Sequence, residues 1–143
     1  MTEQDNIKAA NSFFEAWNAG DLRKALPYQS EDYRSEAPGS PAPLNRDQSL
    51  AYNQNFLTAF PDSKFKIVLT VVQGDYVVTN WTITGKNTGP LQSPSGAIVP
   101  PTGKTVTITG SSTVQLHNGK ATRTWNYWDM AAMLGQLGLM PPM

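Results

Sequence analysis

The sequence predicts an α+β fold, in which helices precede a curved antiparallel sheet and pack on one of its faces. In the first part of the chain, apolar residues recur at helical spacing, as Ile7, Ala10, Phe14 and Trp17 do. From Phe65 onward the period falls from about 3.6 to about 2, and β-branched and aromatic residues become frequent. Short turns join the strands, which favours antiparallel pairing. A curved sheet covered by helices on one face would enclose a cone-shaped cavity.

Four helices are predicted from capping residues and stop signals. Thr2 can cap the first helix, and Gly20 ends it. Asp129 can cap the last helix, for which Gly138 and Pro141 are stop signals. The predicted spans are 3–19, 22–25 ahead of Pro27, 46–60 after a cap at Asn45, and 130–137.

Five strands are predicted from runs that are rich in β-branched and aromatic residues. Gly74-Asp75 predicts a turn, and Asn118-Gly119 is typical of a hairpin. The segment 87–103 is rich in proline and glycine and has no charge before Lys104, so we expect an ordered lid or edge there. The predicted strands are 33–36, 65–72, 76–85, 105–116 and 121–128.

Composition argues against several classes of partner. The 143 residues suit one domain, spanning 1–143. The 11 basic residues balance the 11 acidic ones, so the chain has no electrostatic footprint for nucleic acid or an acidic membrane surface. No apolar run approaches the roughly 18 residues that span a bilayer. The N-terminus lacks the basic-then-apolar order of a signal peptide. We therefore expect a cytoplasmic protein that binds neither nucleic acid nor membrane.

Residue types restrict the chemistry further. The absence of cysteine excludes disulfides, thiolate metal sites and a cysteine nucleophile. The single histidine, His117, excludes a polyhistidine metal site, and its place at a hairpin tip is typical of a solvated turn residue. The chain has no Gly-x-Ser-x-Gly, Gly-x-Gly-x-x-Gly or P-loop pattern, so neither a nucleophile elbow nor nucleotide binding is indicated.

Asp129 is the first candidate for catalysis. It ends the segment Trp125-Asn126-Tyr127-Trp128-Asp129, and strand alternation would place it on one side with Trp125 and Tyr127. A carboxylate between aromatic rings would be desolvated, which raises its pKa and suits it to proton transfer near neutral pH. The alternative interpretation is structural, because aspartate is a favoured helix N-cap. The two roles can coexist.

Glu36, in the short strand before a proline-rich loop, is the second candidate. Inside a cavity it would pair with Asp129, and the like charges would raise the pKa of one carboxyl. The alternative is an exposed carboxylate near Arg34. Arg123 would share the strand face of Trp125, where it could neutralise a substrate carboxylate; alternatively it flanks the hairpin.

Aromatic side chains, 10% of the residues, supply the candidate pocket. They build cores, and they also line pockets for flat apolar ligands. The hydroxyl groups of Tyr33 and Tyr127 could hydrogen-bond a developing enolate. Simple core packing is the alternative for each of them. The candidate pocket residues are Trp17, Phe56, Phe60, Trp81, Trp125 and Tyr127, together with Tyr33, Glu36 and Arg123.

Five short segments resemble one family in their order and spacing. They are Phe60-Pro61-Asp62, Pro100-Pro101-Thr102-Gly103-Lys104, Asn118-Gly119-Lys120, Trp125-Asn126-Tyr127-Trp128-Asp129 and Gln136-Leu137-Gly138. Together they resemble the SnoaL-like polyketide cyclases, which belong to the superfamily named for nuclear transport factor 2. The resemblance covers most of the chain, most clearly from residue 60 to residue 138.

The resemblance implies a cone-shaped α+β fold with a deep pocket between sheet and helices, and an assembly into dimers or tetramers. The family's characterised cyclases close a polyketide ring by intramolecular aldol condensation, without cofactor or metal. Their acid/base aspartate stands just before the last helix, and Asp129 matches that position. The chain differs at Gly85-Lys86-Asn87-Thr88-Gly89, where many relatives have Gly-Thr-His-x-Gly. It also differs at 111–115, where it lacks the histidine of the cyclases' long strand.

The leading hypothesis is a cofactor-free cyclase or isomerase, of lyase or isomerase class, that acts on a hydrophobic carbonyl compound. Asp129 would remove a proton alpha to the carbonyl, and Tyr127 or another donor would stabilise the enolate. One alternative is a non-catalytic module that holds a flat small molecule in the same pocket. A further alternative is an epoxide-type hydrolase, which needs an Asp-Arg-Asp cluster around a water; Arg123 and Asp129 are two candidates for it.

Overall fold

The computed structural model describes residues 2–93 and 95–140, and all the predicted helices and strands are found there within a few residues of their predicted bounds. The helices are α1 (Glu3–Asn18), a 3₁₀ helix (Leu22–Tyr28), α2 (Arg46–Ala59) and α3 (Met130–Leu137). The strands are β1 (Gln29–Glu36), β2 (Leu44–Asn45), β3 (Lys64–Gln73), β4 (Tyr76–Lys86), β5 (Leu91–Gln92), β6 (Ile98–Val99), β7 (Thr105–His117) and β8 (Lys120–Trp128).

Three segments differ from the sequence prediction. The 3₁₀ helix continues through Pro27, because the missing N–H of this proline does not prevent the next bond, from the Gln29 N–H to the Leu26 carbonyl. Strand β1 begins before Tyr33, since its first residue already pairs with β8. The proline-rich segment 87–103 contains the small β5–β6 sheet. Pro141, a predicted stop signal, lies outside the described residues.

The main sheet has the strand order β2-β1-β8-β7-β4-β3. Its pairs are antiparallel except for β1 and β8, which run parallel with Glu36 opposite Trp125. The predicted antiparallel sheet therefore contains one parallel pair that the sequence did not predict. Short turns dictate antiparallel pairing only between neighbours in sequence, and β1 and β8 are joined by most of the chain. The fold class, α+β with a curved and mainly antiparallel sheet, is confirmed.

The helices cover one face of this sheet. A capping box between Thr2 and Asp5 begins α1, whose buried side packs against β3, β4, β7 and β8. Helix α2 packs against β1, and α3 lies against β7 with Met133 and Leu137 in the core. Gly138, at φ 76°, ends α3 in the left-handed conformation that glycine adopts without strain. A cavity remains between these helices and the sheet.

Candidate functional site

Aromatic rings from five elements surround the main cavity, which we call the aromatic chamber. Its interior measures about 100 Å³, comparable with the roughly 150 Å³ engineered cavity that holds a benzene ring. Perpendicular ring contacts fix its walls, with Phe65 and Trp81 centroids 5.1 Å apart and Trp17 and Phe65 centroids 5.2 Å apart. The aromatic lining consists of Phe13, Trp17, Tyr52, Phe56, Phe60, Phe65, Trp81 and Trp128.

A chain of hydrogen bonds crosses the sheet at one wall of this chamber. The Trp81 indole Nε1 donates to Ser112 Oγ at 3.0 Å, and Ser112 Oγ donates to Asn126 Oδ1 at 2.7 Å. Asn126 Nδ2 then donates to the Glu36 carbonyl at 3.2 Å. Strand register explains the arrangement, because Ser112 and Asn126 are direct partners on β7 and β8. These bonds hold three neutral polar groups in fixed orientation beside an apolar space.

Gly110 determines how closely the Trp81 ring approaches the sheet. It lies opposite Trp81 in the β4–β7 register. A Cβ atom at position 110 would overlap the Trp81 ring and come within 2.8 Å of the Tyr127 carbonyl. Only glycine leaves room for the ring there, so a sequence feature on β7 positions the indole that begins the hydrogen-bond chain.

A second, smaller space adjoins the aromatic chamber, and we call it the polar chamber. Ser12, Tyr33, Ser35 and Thr124 line it with hydroxyl groups. The two chambers share a junction that consists of Phe13, Ala37, Tyr52, Asn53, Ser112 and Asn126. The cavity is therefore elongated, with an aromatic end and a hydroxyl-rich end.

The two chamber tyrosines are held as neutral phenols. The Tyr33 hydroxyl donates to Thr124 Oγ1 at 2.8 Å, and burial raises the pKa of Tyr33 to about 12. The Tyr52 hydroxyl donates to the Pro38 carbonyl at 2.7 Å, and burial raises its pKa as well. Both phenols keep their protons at neutral pH and have already used them in hydrogen bonds.

The chambers present neutral groups to a ligand. Of the described residues that line them, none carries a carboxyl, imidazole, ammonium or guanidinium group. Within residues 2–93 and 95–140, no three histidine or carboxylate side chains come together as metal ligands would. In the same residues, no helix combines the length and apolar character that crossing a membrane requires.

Several sequence-predicted pocket residues meet at the cavity. Trp17, Phe56, Phe60 and Trp81 line the aromatic chamber, and Tyr33 lines the polar chamber. They come from α1, α2, β4 and β1 and from the residue that caps the C-terminus of α2.

The other four sequence-predicted pocket residues line neither chamber; they are Glu36, Arg123, Trp125 and Tyr127. On β8, the face predicted to line the pocket is the wrong one. Alternation along β8 is real, but Asn126 and Trp128 point into the chamber while Trp125 and Tyr127 occupy the opposite face. Tyr127 is 64% exposed. Aromatic residues occur at both parities of this strand, so the sequence pattern alone did not distinguish its two faces.

Arg123 and Glu36 also belong to that outer face. Arg123 Nη2 forms an ion pair with Glu36 Oε2 at 2.8 Å, and its guanidinium lies 5.2 Å from the centre of the Trp125 ring. Neither charged residue lines a chamber. Glu36 is thus a partly exposed carboxylate outside the cavity, as the alternative interpretation expected. Its partner is Arg123, however, and not Arg34.

Asp129 adopts the helix-capping geometry that the sequence predicts. Its Oδ1 accepts a hydrogen bond from the Ala132 N–H at 2.9 Å, and the residue is exposed. It lies outside the described linings of both chambers, so the expected desolvation between Trp125 and Tyr127 is wrong. A catalytic role for Asp129 remains a prediction.

Sequence reasoning did not name Ser112, Asn126 or Asn53 as site residues, although helical spacing predicts that Asn53 lies on the buried side of α2 with Phe56. All three are polar residues that line both chambers. Ser112 has polar neighbours on both sides, but the alternation of Val106, Ile108, Val114 and Leu116 with polar residues along β7 gives it the inward parity. On β8 the available signal was Trp128. If Trp128 is assigned to the interior, strand alternation places Asn126 on the same inward face.

The comparisons with known proteins agree with this architecture. The SnoaL-like polyketide cyclase family model matches residues 7–137. No curated protein sequence matches the chain. Among solved structures, AclR from Streptomyces galilaeus, provisionally named a hydroxylase, is 21% identical with a TM-score of 0.84, over 99% of this chain and 90% of that one.

Two further structures are similar over nearly the whole chain. A protein from Jannaschia sp. CCS1, provisionally named a SnoaL-like polyketide cyclase, is 22% identical with a TM-score of 0.84, covering 98% of this chain and 95% of its own. IdmH from Streptomyces antibioticus, provisionally a polyketide cyclase, is 26% identical with a TM-score of 0.78, covering 93% and 98%. Because the family model spans nearly all of the folded region, this chain belongs to the SnoaL-like polyketide cyclase family.

Proposed function

We propose that the chain binds an uncharged, hydrophobic carbonyl compound in the aromatic chamber. The proposal rests on one observation. Aromatic rings enclose the chamber, and the hydrogen-bonded side chains of Trp81, Ser112 and Asn126 form a single polar wall in it. Ligand sites are typically apolar cavities with a few well-placed polar groups. The neutral lining favours an uncharged ligand, because burying an unpaired charge is costly.

Titration with acetophenone tests this binding. The probe combines one aromatic ring with one carbonyl, and its binding can be followed by methyl chemical shifts. Filling the chamber with Ile108→Trp should weaken binding more than tenfold, because Ile108 lines the chamber. Ile98→Trp is the matched control, since Ile98 is 62% exposed on β6. Equal affinity in the two variants would contradict the proposal.

The family membership supports a second proposal, that the bound compound undergoes cofactor-free ring closure or isomerisation. Asp129 is the proposed acid/base, because it matches the position of the cyclases' aspartate and directly follows Trp128, whose ring lines the chamber. It would remove a proton alpha to the substrate carbonyl and return it to the product. Tyr127, the donor first considered, lies on the outer face. The second N–H of the Asn126 amide, beyond the one that it donates to the Glu36 carbonyl, would therefore stabilise the enolate instead.

Asp129→Asn tests the catalytic proposal separately from binding. Asparagine caps helices about as well as aspartate, so the variant should remain folded. We expect it to bind β-dicarbonyl compounds as the wild type does and to lose proton exchange at their alpha carbon. If exchange persists, Asp129 is a cap alone and the binding function stands. The hydrolase alternative has less support, because Arg123 pairs with Glu36 on the outer face.

We also propose that the chain forms a homodimer through the outer face of the sheet. Strand register places Leu69 and Tyr127 in one row across β3, β4, β7 and β8, and Val71 in the next row. All three side chains are at least half exposed. Asn80 and Ser111 lie between Leu69 and Tyr127 in that row, so the face combines exposed apolar side chains with polar ones, as the apolar patches of interfaces with polar surroundings do. Light scattering should give twice the chain mass, and Leu69→Glu should give a monomer; a monomeric wild type would contradict it.

A further inference from the structure

The junction between the two chambers contains one polar side chain that is not committed to the protein. Ser112 accepts from Trp81 and donates to Asn126, whose amide donates to the Glu36 carbonyl. Tyr52 donates to the Pro38 carbonyl. Asn53 lines both chambers, and its side-chain amide has no hydrogen bond to any described residue. Its donor and its acceptor are therefore both available at the centre of the cavity.

The hydroxyl groups of the polar chamber are mostly engaged. Tyr33 donates to Thr124, and the hydroxyl groups of Ser35 and Ser49 bond to each other. Ser12 donates to the Ala9 carbonyl. Gln29, which lines the polar chamber alone, is the other side-chain amide there without a bond to a described residue. Asn53 differs from it in reaching the aromatic chamber as well.

Helix geometry explains why Asn53 faces inward. It lies on α2 between Tyr52 and Phe56, and both of these also line the cavity. Asn55, on the same helix, faces away and is bonded in both directions to the backbone of Gln92. The helix thus holds one asparagine as a structural clamp and leaves another free within the cavity.

We propose that Asn53 determines specificity by hydrogen-bonding a carbonyl or hydroxyl group in the middle of the ligand. The proposal rests on the proposed binding function. The ligand class is an elongated, uncharged molecule with an aromatic ring in the aromatic chamber and an oxygen-bearing part that extends into the polar chamber. An amide suits this role because it both donates to a carbonyl and accepts from a hydroxyl.

A matched pair of probes isolates this hydrogen bond. Acetophenone carries a carbonyl beside its ring, whereas ethylbenzene has a similar shape without it. We expect the wild type to bind acetophenone about fivefold to tenfold more tightly, which lies within the roughly twofold to twelvefold that one neutral hydrogen bond contributes. Asn53→Leu should remove that preference while ethylbenzene binds at least as well as before. Gln54→Met, which removes an amide from the exposed side of the same helix, should keep the preference.

The possible outcomes distinguish an error in the assignment to Asn53 from an error in the proposed binding function. If Asn53→Leu keeps the preference for acetophenone, or if Gln29→Met removes it instead, the assignment to Asn53 is overturned while binding stands. If the wild type binds neither probe, the proposed binding function fails and the assignment fails with it. Circular dichroism of each variant verifies that the fold is intact.

Discussion

The two faces of strand β8 carry similar residue types and have different surroundings. On the inner face, Asn126 and Trp128 contribute a fixed amide and a ring to the aromatic chamber. On the outer face, Trp125 lies beneath a guanidinium and Tyr127 is mostly exposed. Enclosure by α1, α2 and α3 on one side of the sheet creates the difference. The same kinds of side chain therefore form a candidate binding site on one face and a surface on the other.

The largest expected effect comes from removing the inner tryptophan of β4. Trp81 is 5% exposed, contacts Phe65 and donates to Ser112. Trp81→Ala should lower the free energy of unfolding by about 3–5 kcal/mol and abolish acetophenone binding. Trp125→Ala on the outer face should lower it by only about 1 kcal/mol. Urea unfolding measures both; equal losses would mean that the two faces do not differ as described.

The next effect appears at alkaline pH and concerns the inner phenol Tyr33. Its pKa in the folded state is about 12, above its ordinary value of 10.0. Tyr33 therefore stabilises the fold fully below pH 10.0 and loses that contribution as the pH rises toward 12. The decline should amount to about 2–3 kcal/mol.

Unfolding measured between those pH values tests this dependence. Tyr33→Phe should make the decline shallower, and Tyr52 supplies the remainder because burial raises its pKa too. An unaltered slope in Tyr33→Phe would contradict the burial of a neutral phenol.

A smaller effect is expected from the hydrogen-bond chain. Ser112→Ala leaves the Trp81 indole N–H without its acceptor, which should destabilise the fold by about 1–3 kcal/mol. Its neighbour Ser111, on the outer face, is the matched control, and Ser111→Ala should change stability by less than about 0.5 kcal/mol. Thermal unfolding compares the two. Indistinguishable melting temperatures would indicate that the chain of bonds contributes little.

The smallest effect concerns the outer ion pair. Glu36 and Arg123 side chains are 43% and 37% exposed, so water screens their attraction. Glu36→Gln should change stability by about 0–1 kcal/mol and leave ligand binding unaltered. A large loss of binding in this variant would indicate that Glu36 contributes to the binding site, as the sequence analysis proposed.

The sequence predicted the fold because local rules and the tertiary structure agree. Thr2, Asn45 and Asp129 all cap helices as predicted, and the hairpin at Asn118 has the expected positive φ. The parallel β1–β8 pair was not predictable, because local turn rules say nothing about strands that are distant in sequence. Family resemblance supplied the expectation of a deep pocket.

The site was predictable only in part, because the sequence did not show which alternate residues of strand β8 face the cavity. Helical spacing identified the inward rings of α1 and α2, since a helix in contact with a sheet has one apolar stripe. On β8 both parities carry aromatic residues, so the chamber face was assigned to Trp125 and Tyr127 when Asn126 and Trp128 form it. A polar residue that lines a cavity, such as Asn126, resembles a surface residue in sequence.

One measurement tests the central claim that the aromatic chamber is a ligand-binding site. Intermolecular nuclear Overhauser effects would be recorded between acetophenone ring protons and the methyl groups of a labelled sample. We predict cross-peaks to Ile83, Ile108 and Met133, which line the chamber, and none to Val71 or Ile98, which are exposed. Cross-peaks to the exposed methyl groups alone, with the chamber methyl groups silent, would contradict the claim.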